Sequence, residues 1–197
     1  TGVLTPLSGS PFALGGPVPT GLSMDQSGRL FTANWTSNEV RAFTTSAGIP
    51  SAVIGNPFTS GLIEAVHGVL HPAGYYMVAD RGGQVGVYEI AGSGSATSLT
   101  AVSGSPFASG GTFTDVLALN RSGAFLYAAN GNSRNITTYG VNAATGQLAN
   151  LGVQPVDTLG NSGLISGMAF APVPQDPAAQ GGFVYALEAI SGSDNKI

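Results

Sequence analysis

An all-β fold assembled from repeated four-stranded units is what this sequence predicts, and three observations carry the prediction. The 197 residues include 30 Gly and 12 Pro, and only 8% of them are charged, against about 25% in ordinary soluble domains. Pro-Phe recurs at Pro11-Phe12, Pro57-Phe58 and Pro106-Phe107, and weakly as Pro155-Val156, at spacings of 46, 49 and 49 residues. Between these marks lie short alternating apolar runs, and no run shows the i, i+3, i+4 pattern of an amphipathic helix.

Each element of a repeat can be justified in turn. Ser8-Gly9-Ser10-Pro11-Phe12-Ala13 returns residue for residue as Ser103–Ala108. A turn followed by an apolar strand comes next. It reads Asp25-Gln26-Ser27-Gly28 before Arg29–Asn34, His71-Pro72-Ala73-Gly74 before Tyr75–Asp80, and Asn120-Arg121-Ser122-Gly123 before Ala124–Asn130. The turn glycines supply positive φ at low steric cost. An alternating strand ending in an aromatic closes the repeat, at Val40–Phe43, Val85–Tyr88 and Ile136–Tyr139. Four short strands in 40–50 residues predict a β-propeller of four-stranded antiparallel blades. The repeats fall at about 2–47, 48–96, 97–145 and 146–197, in a single propeller domain over 1–197. Each begins with its outermost strand, Val3–Leu7 in the first, and the Phe of Pro-Phe is expected to plug the gap between blades. In the fourth, Val173 to Gly182 reads as an inserted loop before Phe183–Glu188 resumes the strand.

Composition excludes several classes of function. Six Lys+Arg against ten Asp+Glu give a net charge of −4, so there is no basic surplus for nucleic acid. Without Cys, neither a disulfide framework nor a thiolate zinc site can form. No apolar run approaches the ~18 residues of a membrane span. The chain starts at Thr1 with no signal-peptide pattern, so a processed or partial chain is expected. Abundant Ser, Thr, Gly and Asn with a single Lys suggest an extracellular or periplasmic setting. Sequons at Asn34, Asn120 and Asn135 are candidate glycosylation sites, or chance matches in a chain of this composition.

Gly-x-Leu-Thr-x-x-x-Gly-Ser-Pro-Phe-Ala, His-Pro-x-Gly-x-Tyr-x-Val-Ala-Asp and Ser-Gly-Ala-Phe-Leu-Tyr-Ala-Ala-Asn resemble the lactonase-like β-propeller family. That family is related to YVTN-repeat proteins and includes propeller-type 6-phosphogluconolactonases and muconate-lactonising enzymes. The resemblance implies a seven-bladed ring, of which about four blades are present here. The remaining blades, a second copy or another chain are then expected to cover apolar blade faces at the two open ends.

Propeller topology brings the ends of second strands and the starts of innermost strands to one rim of the central channel, where propeller ligands bind. The rim candidates are Asn34, Trp35, Asp80, Asp115, Asn130 and Glu188. Thr20, Thr114 and the stretch from Ser162 to Ser166 begin innermost strands. Glu64, His67 and Arg81 form the most chemically loaded group: a His beside carboxylates and an Arg suits acid–base work on a lactone or the holding of an anion. Asp80 shares its slot with Asn34 and Asn130, which also fits a turn-capping role. Trp35 would stack on a sugar or cap its blade. The family carries a His-x-His-like stretch near His67, whereas Ala65-Val66-His67 offers one His, and Asp80–Gln84 lacks the family's second Asp. His71 precedes Pro72 and reads as a turn residue. His67 and His71 would sit about 13 Å apart along one strand, too far to share a metal. Asp157 and Asp176 stand apart, and no cofactor is expected, although rim carbonyls leave room for a structural Ca²⁺. Two functions stay open: a secreted or surface propeller that binds a small molecule, glycan or partner or serves structurally, and a lactone hydrolase using His67, Glu64 and Arg81.

Overall fold

A computed structural model describes residues 3–59, 61–156, 164–172 and 182–189, all of them strand, turn or loop apart from one short 3₁₀ turn at Gly94–Ala96. The first blade comprises β1 (Pro19–Met24), β2 (Leu30–Asn34), β3 (Glu39–Ser46), β4 (Ile49–Ala52) and β5 (Phe58–Thr59). These strands run in the order β1-β2-β3-β4, with β5 also pairing on β3. The second contains β6 (Ala65–His71), β7 (Tyr75–Asp80), β8 (Gln84–Ala91), β9 (Ser98–Ala101) and β10 (Phe107–Ala108); β9 and β10 both pair on β8. The third is a plain four-stranded sheet of β11 (Thr114–Leu119), β12 (Phe125–Asn130), β13 (Asn135–Val141) and β14 (Leu148–Pro155). Two strands of a fourth blade follow, β15 (Leu164–Pro172) and β16 (Gly182–Ala189). All pairings are antiparallel.

The predicted turn–strand units are present at their predicted places. Gly28, Gly74 and Gly123 have φ of +80°, +89° and +79°, and their N–H groups donate to the carbonyls of Asp25, His71 and Asn120. The outer strand that opens each of the next two repeats pairs with the preceding repeat's sheet, β4 on β3 and β9 on β8, and the Pro-Phe that follows adds to it, Phe58 opposite Val40 and Phe107 opposite Val85. Both rings pack half-buried against the clusters between blades, so the plug role holds without full burial.

One expectation fails. Val3–Leu7 forms no strand, and Leu4 is 97% exposed. The reason is the same offset: an opening strand belongs to the blade before it, and none of the described sheets offers this one a free third strand. Its turn forms nonetheless. The Ser10 N–H donates to the Leu7 carbonyl as that of Ser105 does to Val102, both at 3.0 Å, and Gly9 and Gly104 share φ near +87° and +89°. The Phe12 and Phe107 rings lie against these glycines.

The core lies between blades. On β7 every residue is buried, because alternate side chains meet opposite neighbours. Tyr76 and Val78 join Phe31, Ala33 and Val40 of the first blade, while Met77 and Ala79 join Leu126, Ala128 and Tyr139 of the third. Gly68 sits beneath the Tyr76 ring, where a Cβ would come within 2.5 Å of its phenolic carbon. The outer faces of the set are apolar and open, as expected at the ends of a part-ring: Leu22 and Met24 are 63% and 60% exposed on β1, and Phe183 and Tyr185 are 60% and 52% exposed on β16. Among the described residues no helix is long and apolar enough to cross a membrane. The expected loop over 173–181, together with Asp157, Asp176, Ser162 and Gly163, lies outside the described residues.

Candidate functional site

Innermost strands define the rim through one repeated irregularity. Each carries a bulge near its start, between Pro19 and Gly21, Ala65 and His67, Thr114 and Val116, and Ile165 and Gly167. The extra residues are Thr20, Val66, Asp115 and Ser166. A bulge re-aims side chains at the edge of a sheet, and here it sets Asp115 at the rim beside His67.

The second-strand slot is structural. Asn34, Asp80 and Asn130 are fully buried, and Glu188 occupies the same register, opposite Ile165. Asp80 accepts four hydrogen bonds. Its Oδ1 takes the N–H groups of Glu64 (2.8 Å) and Gly82 (2.9 Å), and its Oδ2 takes that of Ile63 (3.0 Å) and the Gln84 side chain (3.1 Å). The carboxylate therefore ties the chain entering β6 to the turn leaving β7. Asn130 is likewise committed, donating to Asn135 Oδ1 and Thr137 Oγ1 and lying 2.6 Å from Thr114 Oγ1. Asn34 donates to Thr32, and its Oδ1 is buried without a partner. As glycosylation candidates Asn34 and Asn120 fare poorly, because both are buried. Asn120 accepts the Phe125 N–H within its turn, and half-buried Asn135 is engaged by Asn130.

The residue after this slot does something else. Trp35, Arg81 and Gly131 follow the second strands of successive blades, and their N–H groups donate to Val18, Glu64 and Phe113. The Arg81 guanidinium lies 4.7 Å from the Trp35 ring centre and 4.4 Å from that of Phe113, so two aromatic faces of neighbouring blades clasp it. Its Nε donates to Asp115 Oδ1 at 2.7 Å. Such cation–π contacts strengthen as water is excluded. Phe113 adopts φ +64°, a left-handed conformation costly for a bulky residue. Sequence reasoning missed Phe113. The signal was available, since Phe113 precedes the Thr114 start of the next innermost strand.

His67 completes the group and changes role. The Leu117 N–H, on the next blade's innermost strand, donates to its Nδ1 at 3.2 Å. The neutral ring then carries its proton on Nε2. Nε2 is then a hydrogen-bond donor, and Nδ1 has no free lone pair to act as the base expected of it. Burial lowers its pKa, and nearby Asp115 offsets this only in part. Glu64 contributes its backbone to Arg81 and Asp80, and its side chain makes no hydrogen bond or ion pair among the described residues. The structure thus brings together His67, Arg81, Asp115 and Trp35 and leaves Asp80, Asn34 and Asn130 in the turns. No group of three metal-ligating side chains occurs among the described residues.

His71, at the opposite end of β6, is a turn residue as expected. Its Nδ1 accepts the Ala73 N–H, and its Nε2 pairs with the Gly123 carbonyl of the third blade, both at 3.0 Å. Beside it a cleft of about 620 Å³ opens between the first two blades, lined by Asp25, Arg29, Leu70 and Ile90 among others. Burial lowers the His71 pKa, partly offset by the Gly123 carbonyl. Both imidazoles are thus held below the ordinary 6.5. The unfolded chain takes up these protons first, so the stability is complete above that value and is lost as pH falls towards the folded-state pKa values. The thermal midpoint should be level above about pH 7 and fall below about 6.5, and His71→Asn should flatten the descent. A midpoint that rises on acidification through this window would contradict the assignment.

Four-stranded antiparallel blades around a shared rim define a propeller. The particular kind it resembles is the lactonase type: residues 69–158, spanning most of the second and third blades, match the family model described as "Lactonase, 7-bladed beta-propeller". No curated protein matches the sequence significantly. Solved structures agree on the fold. A putative 6-phosphogluconolactonase from Bacteroides uniformis superposes with a TM-score of 0.66 at 19% identity, over 88% of this chain and 48% of its own. The periplasmic gluconolactonase of Pseudomonas aeruginosa gives 0.65 at 20% identity, over 86% and 50%. A putative 6-phosphogluconolactonase from Bacteroides fragilis gives 0.63 at 18%, over 71% and 39%. The chain spans about half the length, or less, of the structures it matches.

Proposed function

We propose that this part-propeller binds a small lactone, or the hydroxy acid formed from it, at the rim where second strands end. The observation that carries the reading is the convergence of the His67, Arg81 and Asp115 side chains from two blades, with the Trp35 ring of a third against Arg81. Together they offer a neutral donor at His67 Nε2, a fixed guanidinium and a carboxylate with one oxygen uncommitted. That set can hold a carbonyl and hydroxyl groups at once. Low surface charge suits a secreted or surface setting.

Binding fits these residues better than turnover, because His67 Nδ1 is occupied. A hydrolase reading is supported by the lactonase family model and by neighbours described as gluconolactonases. On that reading His67 would polarise the lactone carbonyl, and water activation would fall to another group. Saturation-transfer NMR on the 197-residue chain with a panel of δ-lactones and their hydroxy acids tests the binding proposal. Saturable transfer is expected, weakened about 10-fold by His67→Gln, the loss of one hydrogen bond. Absence of transfer to every member of the panel would sink it, and accelerated ring opening by the parent would favour the hydrolase.

A further inference from the structure

We infer that the free edge of the Arg81 guanidinium is the anchor for a single carboxylate, so that the preferred ligand of this rim is the ring-opened, monoanionic sugar acid. The inference deepens the reading of the rim as a lactone or hydroxy-acid site and rests on it.

Three features lead there. First, the guanidinium is immobilised before any ligand arrives. Trp35 and Phe113 hold its two faces, and Asp115 holds Nε. Second, neither Nη nitrogen has a partner among the described residues, and the side chain keeps 21% of its surface open. The group already meets one carboxylate through Nε and keeps both Nη nitrogens uncommitted among the described residues. A planar pair of N–H donors of this kind matches the two oxygens of a carboxylate. An arginine with settled rotamers loses little conformational freedom on binding, which is how preorganisation gains affinity. Third, the surroundings limit the charge of the ligand. Asp115 is within hydrogen-bond distance of Arg81, Glu64 lies on the same rim with its carbonyl on the Arg81 N–H, and burial favours the neutral form of His67. A dianion such as phosphate would meet two carboxylates against one cation. A monoanion carrying hydroxyl groups would meet one open guanidinium edge, an Asp115 oxygen able to accept a hydroxyl, and the His67 donor.

The strained Phe113 backbone fits this reading. Its left-handed conformation, which Val18 shares at the equivalent place in the first blade, belongs to the repeat and here places the ring on Arg81.

The experiment uses the only tryptophan of the chain, Trp35, as its own reporter. D-gluconate, the neutral analogue D-glucitol and inorganic phosphate are titrated at about pH 8, where phosphate is mostly the dianion, while Trp35 emission is followed. Gluconate should shift the emission saturably and bind at least about 10-fold more tightly than glucitol or phosphate. Arg81→Gln should remove that preference, and Arg81→Lys should retain only part of it. Equal binding of gluconate and glucitol would overturn the carboxylate anchor while leaving the rim a polyol or lactone site. Tighter binding of phosphate would overturn the single-charge argument. No response to gluconate or glucitol up to about 50 mM, an affinity too weak for a built site, with no transfer in the NMR panel, would remove both readings. Should Arg81→Gln fail to fold, the gluconate-to-glucitol ratio of the parent decides the matter alone.

Discussion

Asp80→Ala is expected to cost about 2–4 kcal/mol, because four part-buried donors lose a fully buried acceptor together. Two backbone N–H groups enter β6, one lies in the turn after β7, and the fourth donor is the Gln84 amide. Asp80→Asn should cost only about 1–2 kcal/mol, since the equivalent positions in the neighbouring blades are Asn34 and Asn130. Urea unfolding with an unchanged m-value measures both. An alanine variant within about 1 kcal/mol of the parent would show that the slot is dispensable for folding. Asp80 would then return to the list of ligand-binding candidates.

The second large effect separates packing from polarity at one residue. Tyr76 is fully buried between the first two blades, with its ring 5.3 Å from that of Phe31. Tyr76→Ala should lose about 3–5 kcal/mol through the cavity it opens. Tyr76→Phe should do the reverse, being neutral or stabilising by up to about 1 kcal/mol. The hydroxyl is buried without a partner, and desolvation pushes the phenol far above its ordinary pKa. Its removal therefore discards an uncompensated polar group, and the ring stays. A phenylalanine variant less stable than the parent by more than about 1 kcal/mol would reveal a hydrogen bond at that hydroxyl. Calorimetric midpoints of the two variants are sufficient.

The two variants also mark what a sequence can disclose. The slot of Asp80 was legible because Asn34 and Asn130 stand 46 and 50 residues to either side of it, and repetition exposes equivalent places. The turns, the strand pairs and the half-buried phenylalanines were legible for the same reason. The clasp around Arg81 was not. Trp35, Arg81 and Phe113 come from three blades; Trp35 and Arg81 fill the same repeat position and Phe113 a different one, so their meeting depends on the angle between neighbouring sheets. Phe113 also adopts a backbone conformation that residue type argues against. The change in His67 is subtler still. Its chemistry turns on the Leu117 N–H, a donor that every residue but proline possesses and no side-chain motif advertises. Val3–Leu7 misled because a strand needs a partner as well as a pattern, and its pattern was intact.

That opening segment has one more implication. Ser8–Ala13 and Ser103–Ala108 are the same six residues. One copy pairs with β8 and the other pairs with no described strand, yet both fold into the same turn. The shape is thus written within the hexapeptide, whatever stands next to it. A part that keeps its form when its neighbours change can be copied, inserted and passed from one blade to the next without relearning its fold. In a chain grown by duplication, such a part is where one copy could be joined to another with the least loss.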